Sequence, residues 1–482
     1  MATKLTPQDL DLPAKFKSWR GQQEEVIEKI VNSPSLLYLL DAPTGSGKSI
    51  IGIASSYIWR TNWLTTKVLE GEDVEDRLPK RVIYITRTKQ LQDQLLKDFP
   101  NSRTIKGRVN FPCLLAKKKF PEFTAEDCPH MGKDNPCQFK VICPYLVAKY
   151  DALHADIAVL NESYYFAESN GPGQFSGADF VILDEVDSIE STLMNNISMN
   201  ITVSTLKEFG VDPPMMWEDW KEWVTWWNAT KTKRLTAVTK MSGQVDLFGD
   251  DWSDFEIKAS RKLRHLDNFN NNLNTFMAET MRQLINNTQQ ESIPTEEAVR
   301  ITLSGKETPF VIQDHRDKTG KINRLELKPV TVRGFAAQRL WRHAHRFLGM
   351  SGTILSPVVL ARELGLQEEQ YDYQQIPSPF DVKNRPIYFW PVGNMRKQNI
   401  DAGEALPKML EAIQKILDKY INQKILIHTA SYQILSAIKH DQVDLKCNSR
   451  IITHDPENRT NQLETFKTSK EPLVMLSPSF DR

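Results

Sequence analysis

The sequence predicts an α/β fold, and three observations carry that prediction. The apolar run from Leu36 to Leu40 leads into Asp41-Ala42-Pro43-Thr44-Gly45-Ser46-Gly47-Lys48-Ser49, the pattern of a strand, an anion-cradling loop and a helix. Phe180-Val181-Ile182-Leu183 is a buried-strand pattern that ends in Asp184-Glu185-Val186-Asp187, so it delivers acids at the C-terminal edge of a sheet. Towards the C-terminus a helix with apolar residues at Leu406, Met409, Leu410, Ile413, Ile416 and Leu417 precedes strand candidates at 424–427, 450–452 and 473–475, which suggests a second α/β domain.

The glycine-rich loop sets the chemistry. Gly45 and Gly47 stand where a chain turns tightly around an anion, and the backbone N–H groups of Thr44 to Gly47 with the start of the following helix would cradle phosphates. Lys48 supplies a positive charge to the β- and γ-phosphates, and the Ser49 hydroxyl can bind Mg²⁺. The acidic strand end, 135 residues beyond Ser49, is the natural complement: Asp184 to orient the Mg²⁺ and Glu185 to position and deprotonate an attacking water. Lys48, Asp184 and Glu185 are therefore the candidate catalytic residues. ATP and Mg²⁺ are the implied cofactors.

Composition narrows the setting. At 482 residues the chain can build three or four units. Its 61 basic and 61 acidic residues cancel, so a nucleic-acid contact must come from local patches and not from a global field. No apolar run approaches a membrane span, and Met1-Ala2-Thr3-Lys4 does not open a secretory signal, so a cytoplasmic protein is expected. Of five cysteines, Cys113, Cys128, Cys137 and Cys143 fall within 31 positions. Clustering of this kind argues for a metal or cluster site, not for disulfides.

Around these motifs the chain divides. Arg20-Gly21-Gln22-Gln23 opens a short amphipathic helix whose Gln23 is a candidate for the adenine edge or a plain helix-start residue. Residues 61–80 read as a polar surface excursion. The strand Val82-Ile83-Tyr84-Ile85 meets Thr86-Arg87-Thr88 and a helix from Lys89 to Phe99, where hydroxyls and an arginine either hold a phosphate backbone or simply cap a helix. Trp217, Trp220, Trp223, Trp226 and Trp227 lie mostly along one helical face; they form either a base-stacking platform or, the favoured reading, a packed helix face. Residues 306–330 read as β-rich.

Taken together, these residues resemble a superfamily 2 DNA helicase of the iron–sulfur group, the XPD/DinG type, closest to its bacterial or phage DinG branch. Ala42 to Ser49 matches motif I, Tyr84 to Leu95 motif Ia, and Asp184 to Asp187 a variant of the Asp-Glu-Ala-His box in which Asp187 replaces the histidine. Gly349-Met350-Ser351-Gly352-Thr353-Ile354-Leu355 matches motif III, Ile427 to Tyr432 motif IV, and Ser477-Pro478-Ser479-Phe480 the start of motif V.

The resemblance implies tandem RecA-like domains with an iron–sulfur insertion and a mainly helical arch. The corresponding division is 1–105, 151–200 and 331–368 for the first motor domain, 106–150 for the cluster domain, 201–330 for the arch and 369–482 for a second motor domain that looks incomplete because motif VI is missing. It implies a [4Fe–4S] cluster on Cys113, Cys128, Cys137 and Cys143. Spacings of 14, 8 and 5 residues are not a paired-knuckle zinc pattern, although zinc and unligated thiols stay open on the residues alone. It also implies Thr86, Arg87 and Ser431 as strand-holding residues, Lys106 and Arg108 as guides near the cluster, and Ser351 and Thr353 as coupling residues.

The implied activity is ATP-dependent 5′-to-3′ translocation on single-stranded DNA and unwinding of forked or tailed duplex, with a DNA–RNA hybrid as a further substrate, by a monomer. Two rivals remain: a DNA-stimulated ATPase that remodels protein–DNA or R-loop complexes, and a DNA-binding module with impaired turnover. A simple phosphate-loop kinase would leave motifs Ia, III and IV as coincidences.

Overall fold

The computed structural model describes residues 5–71, 82–87, 89–115, 121–128, 137–245, 254–285, 308–394, 396, 398–399, 405–429, 432–439, 450–455 and 458–478. The chain forms two compact units, Met1–Pro379 and Phe380–Arg482.

The first unit is built on a seven-stranded, wholly parallel sheet. Its strands are β1 (Leu37–Asp41), β2 (Val82–Thr86), β3 (Ser102–Thr104), β4 (Ile157–Asn161), β5 (Ala178–Asp184), β9 (Ala344–Ser351) and β10 (Tyr371–Gln375), in the order β10-β1-β9-β5-β2-β4-β3. β1, β2 and β5 are buried at every position, as strands covered by helices on both faces must be. One apolar layer holds Leu37, Leu39, Ile83 and Val181, and the other holds Tyr38, Leu40, Tyr84 and Ile182. The covering helices include α1 (Gln23–Asn32), α2 (Lys48–Leu69), α3 (Lys89–Asp98), α4 (Pro144–His154), α5 (Glu162–Asn170) and α6 (Ile189–Ile197).

β9 enters late in the chain yet slots between β1 and β5, aligning Asp41 with Ser351 and Asp184 with Met350. That crossing brings three sequence-distant motifs to one sheet edge. Tyr371 to Gln375, expected within the second motor domain from residue 369, instead completes this first sheet beside β1, and the unit boundary falls between Pro379 and Phe380. A half-exposed polar edge strand carries too little apolar signal to be assigned from sequence.

The described residues between 199 and 329 make a separate layer. An antiparallel sheet of β6 (Met199–Thr202), β8 (Ile322–Pro329) and β7 (Phe310–Arg316) packs with α7 (Val203–Glu208), α8 (Trp220–Val245) and α9 (Asp254–Ile285). Trp220, Trp223, Trp226 and Trp227 are buried in its core with Leu273, Phe276 and Phe310, so the tryptophan face is packing and not a stacking platform. Returning to the first unit's sheet, the chain forms α10 (Arg333–Arg339) before β9 and α11 (Pro357–Glu363) after it.

The second unit has a parallel sheet β11-β13-β12 (Ile425–His428, Val474–Ser477, Ile451–Thr453) with α12 (Ala405–Lys419), α13 (Tyr432–Lys439) and α14 (Arg459–Thr468). Leu410, Leu417, Leu435, Ile438, Val474 and Leu476 form its core. Among the described residues no helix is long and apolar enough to cross a membrane.

Candidate nucleotide and magnesium site

The loop between β1 and α2 has the geometry its glycines predict. Gly45 and Gly47 have φ of 87° and 83°, a region open to glycine and strained for other residues. A Cβ on Gly47 would run into the Gln23 side-chain amide. That amide is engaged at both ends: Nε2 donates to the Ser46 carbonyl at 2.9 Å, and Oε1 accepts from Arg20 N–H at 2.9 Å. Gln23 is therefore a brace under the loop, and its second amide N–H and second oxygen lone pair remain for the expected adenine edge.

Opposite the loop, β5 ends in the acidic pair. Asp184 is buried; Tyr84 Oη donates to its Oδ2 at 3.0 Å, while Oδ1 is buried without a hydrogen-bond partner. Burial first of all pushes this carboxyl up to about 6, with the Glu185 charge adding to the rise and Lys48, the Tyr84 hydrogen bond and the Glu185 backbone N–H opposing it. Burial likewise drives the Tyr84 phenol far above its ordinary value, which keeps it a donor.

Glu185 follows in a left-handed conformation at φ 58° and ψ 51°, unusual for a side-chain-bearing residue and of the kind found at functional turns. Its Oε1 lies 3.1 Å from Lys48 Nζ. Ser351, at the end of β9, donates to Asp187 Oδ1 at 2.6 Å, and its carbonyl accepts from Ala42 N–H at 2.8 Å. Asp187 thus joins the acidic strand end to the end of β9. Close approach here depends on Gly349, where a Cβ would sit 2.8 Å from Val186 Cγ2. Thr353 is exposed, and its N–H faces Ser351 Oγ at 3.3 Å.

This set fits a divalent cation beside a phosphate-bearing ligand. A buried carboxylate oxygen without a donor is an unfilled ligand position, and Ser49 Oγ lies 3.5 Å from the phenol that holds that carboxylate. Ser49 and Asp184 would hold Mg²⁺, with Thr44 to Lys48 around the phosphates.

Residues 20–209 match the family model of the DEAD/DEAH box helicases.

That span contains the glycine-rich loop, the acidic strand end and the cysteine segment. Solved structures with a similar chain path include an XPD helicase (14% identity, TM-score 0.44, covering 95% of this chain and 78% of that one), S. tokodaii Xpd4 (15%, 0.41, 95% and 80%) and a truncated XPD (14%, 0.36, 73% and 99%). At such identities and scores no residue role is carried across. No curated protein matches the chain.

Residues expected to touch a strand are placed less simply. Thr86 is wholly buried, with its hydroxyl inside the sheet, so it is corrected from strand contact to sheet core. Arg87 is exposed. Lys106 pairs with Asp93 at 3.4 Å, and Arg108 faces Glu168 at 3.9 Å and the Tyr145 ring at 5.6 Å. Glu168 also binds Lys149 at 2.6 Å and accepts from Tyr145 Oη at 3.2 Å, so Arg108 belongs to a network that fastens the cysteine segment to α4 and α5. Ser431 lies outside the described residues, as do Thr88, Ser479 and Phe480.

In the cysteine segment, Phe111 and Ala125 pair through backbone, as do Cys113 and Phe123. Arg264 of α9 donates to the carbonyls of Asp127 at 2.8 Å and Cys128 at 2.9 Å. Cys113 and Cys128 are buried, Cys137 and Cys143 half-buried, and none of the four is in a disulfide. Among the described residues no group of three or more His, Cys, Asp or Glu side chains is gathered closely enough to hold a metal.

Proposed function

We propose that this chain is a motor of the superfamily 2 helicase type, related to the XPD group, that uses ATP to move along single-stranded DNA in the 5′-to-3′ direction. The observation that carries the proposal is the meeting of Lys48, Asp184, Glu185 and Ser351 at the edge formed by β1, β9 and β5. With ATP bound, Lys48 exchanges Glu185 for phosphate oxygens, which frees the Glu185 carboxylate to accept a proton from water in line with the γ-phosphate. Mg²⁺, when bound, neutralises charge on the leaving oxygens. Asp187 and Ser351 lie between this chemistry and the loop after β9, the element placed to report hydrolysis elsewhere.

A separate cleft of about 690 Å³ lies between α5, α6, β6 and α9. Asn196, Asn200, Asn268 and Asn272 line it with Phe166 and Phe276, and its Arg339 is paired with Glu279 at 2.6 Å. Uncharged amides suit base edges and sugars better than phosphates, and we place a strand contact there.

ATPase with and without single-stranded DNA, run beside displacement of 5′- and 3′-tailed duplexes, tests the proposal. Glu185→Gln is expected to keep nucleotide binding and lose at least about 100-fold in turnover. Hydrolysis without displacement would instead select the remodelling reading, and displacement only from 3′ tails would reverse the direction. An iron–sulfur cluster on the four cysteines is a proposal of its own, resting on their shared segment; anaerobic protein free of iron would remove it.

A further inference from the structure

We infer that Tyr84 is a positioning residue of the magnesium site: its phenol holds Asp184 from behind, so that one carboxylate oxygen alone is offered to the metal. The inference deepens the nucleotide reading above and rests on it.

β2 lies beside β5 with Tyr84 level with Ile182, which lets a side chain as long as tyrosine reach forward to Asp184. Val82, Ile83 and Ile85 are aliphatic, so Tyr84 brings the single side-chain hydroxyl into the body of the strand before Thr86. Tyr84 is fully buried, and a phenol there without a partner would be strongly disfavoured. Its partners are the two residues expected to hold the ion. Asp184 Oδ2 accepts at 3.0 Å, and Ser49 Oγ lies 3.5 Å from the same phenol oxygen.

The consequence is a division of labour within one carboxylate. A neutral donor occupies Oδ2, and Oδ1 is left buried and unpartnered. Because the donor is neutral, it orients the carboxylate without cancelling the charge a cation needs. Partners of this kind behind a ligand typically govern metal affinity. Tyr84 also spans the gap between a residue of α2 and a residue of β5, so it fixes the separation of the two ligands.

Tyr84→Phe deletes the hydroxyl and keeps the ring. The control is Tyr38→Phe, which removes a phenol hydroxyl on β1, a strand separated from β2 by β9 and β5, that donates to Gln374 at 2.9 Å. The measurement is equilibrium binding of a fluorescent ADP, without metal and across a Mg²⁺ titration, with thermal melting alongside. In Tyr84→Phe the Mg²⁺ concentration at half-effect is expected to rise about 10-fold, while metal-free ADP affinity stays within about twofold. Tyr38→Phe is expected to match wild type in both.

An unmoved Mg²⁺ midpoint in Tyr84→Phe overturns the inference and leaves the nucleotide site standing. Equal losses with and without metal overturn it as well, since they report only packing. If wild-type affinity for ADP ignores Mg²⁺, the metal site and this inference fall together. Should Tyr84→Phe not fold, the near-UV tyrosine spectrum of ADP-bound wild type decides: a change on adding Mg²⁺ supports the inference, and a flat difference spectrum overturns it.

Discussion

Gln23 braces the phosphate loop from below. As a helix-start residue it looks open to solvent, but the positive φ of Gly47 folds the loop back until Ser46 O lies on the Gln23 nitrogen. Replacing it by alanine leaves the Ser46 carbonyl and the Arg20 N–H short of a partner. Gln23→Ala should therefore weaken ATP and GTP alike, by about 3- to 10-fold, the worth of an ordinary hydrogen bond. A selective loss of ATP in competition binding would show that Gln23 reads the adenine edge as well. The Asp187–Ser351 contact makes a second residue-scale prediction, because one short bond joins two motifs. Asp187→Ala and Ser351→Ala should each lower stimulation of ATPase by single-stranded DNA with little change in nucleotide affinity. Being partners, their effects should not add in the double variant. Strict additivity in that cycle would mean the contact carries no coupling.

At the scale of elements, α9 performs two tasks on different faces. Leu266, Leu273, Phe276 and Met277 face the insertion's core, and Arg261 and Arg264 clasp the cysteine segment through Asp127 and the carbonyls around it. A further stripe, Asn268 and Asn272, lines the cleft shared with α5 and α6. These amides carry no charge, so a strand held there releases no counterions through them. Asn268→Ala with Asn272→Ala should weaken single-stranded DNA by the same factor at low and moderate salt. The slope of log affinity against log salt should match wild type. A flatter slope would mean that phosphates, not bases, lie in the cleft, and unchanged affinity would take the strand out of it.

Over the whole molecule, the sequence was most legible where a pattern has one structural solution. A strand, glycines and Lys-Ser specify the phosphate loop, and the apolar runs before Thr86 and Asp184 form β2 and β5. It was least legible where the answer lies in a partner far along the chain. Lys106 and Arg108 look like free cations until Asp93 and Glu168 fold against them, and β10 is recognisable as a strand only beside β1. Thr86 misled for a related reason, because a strand covered on both faces buries its last residue as well. His343 belongs to the same class, and its effect reaches the whole first unit. It is 1% exposed, with Nδ1 2.8 Å from Ser176 Oγ and Nε2 3.0 Å from Asn170 Oδ1. The Asn170 amide nitrogen already donates to the Phe166 and Arg339 carbonyls, so its oxygen must accept and Nε2 must carry the proton of a neutral ring. Burial first, then the Arg342 and Arg339 charges, depress this imidazole to about 4. Below about 6.5 the unfolded chain takes up a proton that the folded chain refuses. Stability present above that pH is therefore lost as pH falls towards 4, by on the order of 3 kcal/mol if the whole depression is expressed in folding. Thermal melts of wild type and His343→Gln from pH 7 to pH 4.5 check this. The variant should start less stable and lose less on acidification, and parallel losses in the two proteins would assign acid sensitivity to other groups.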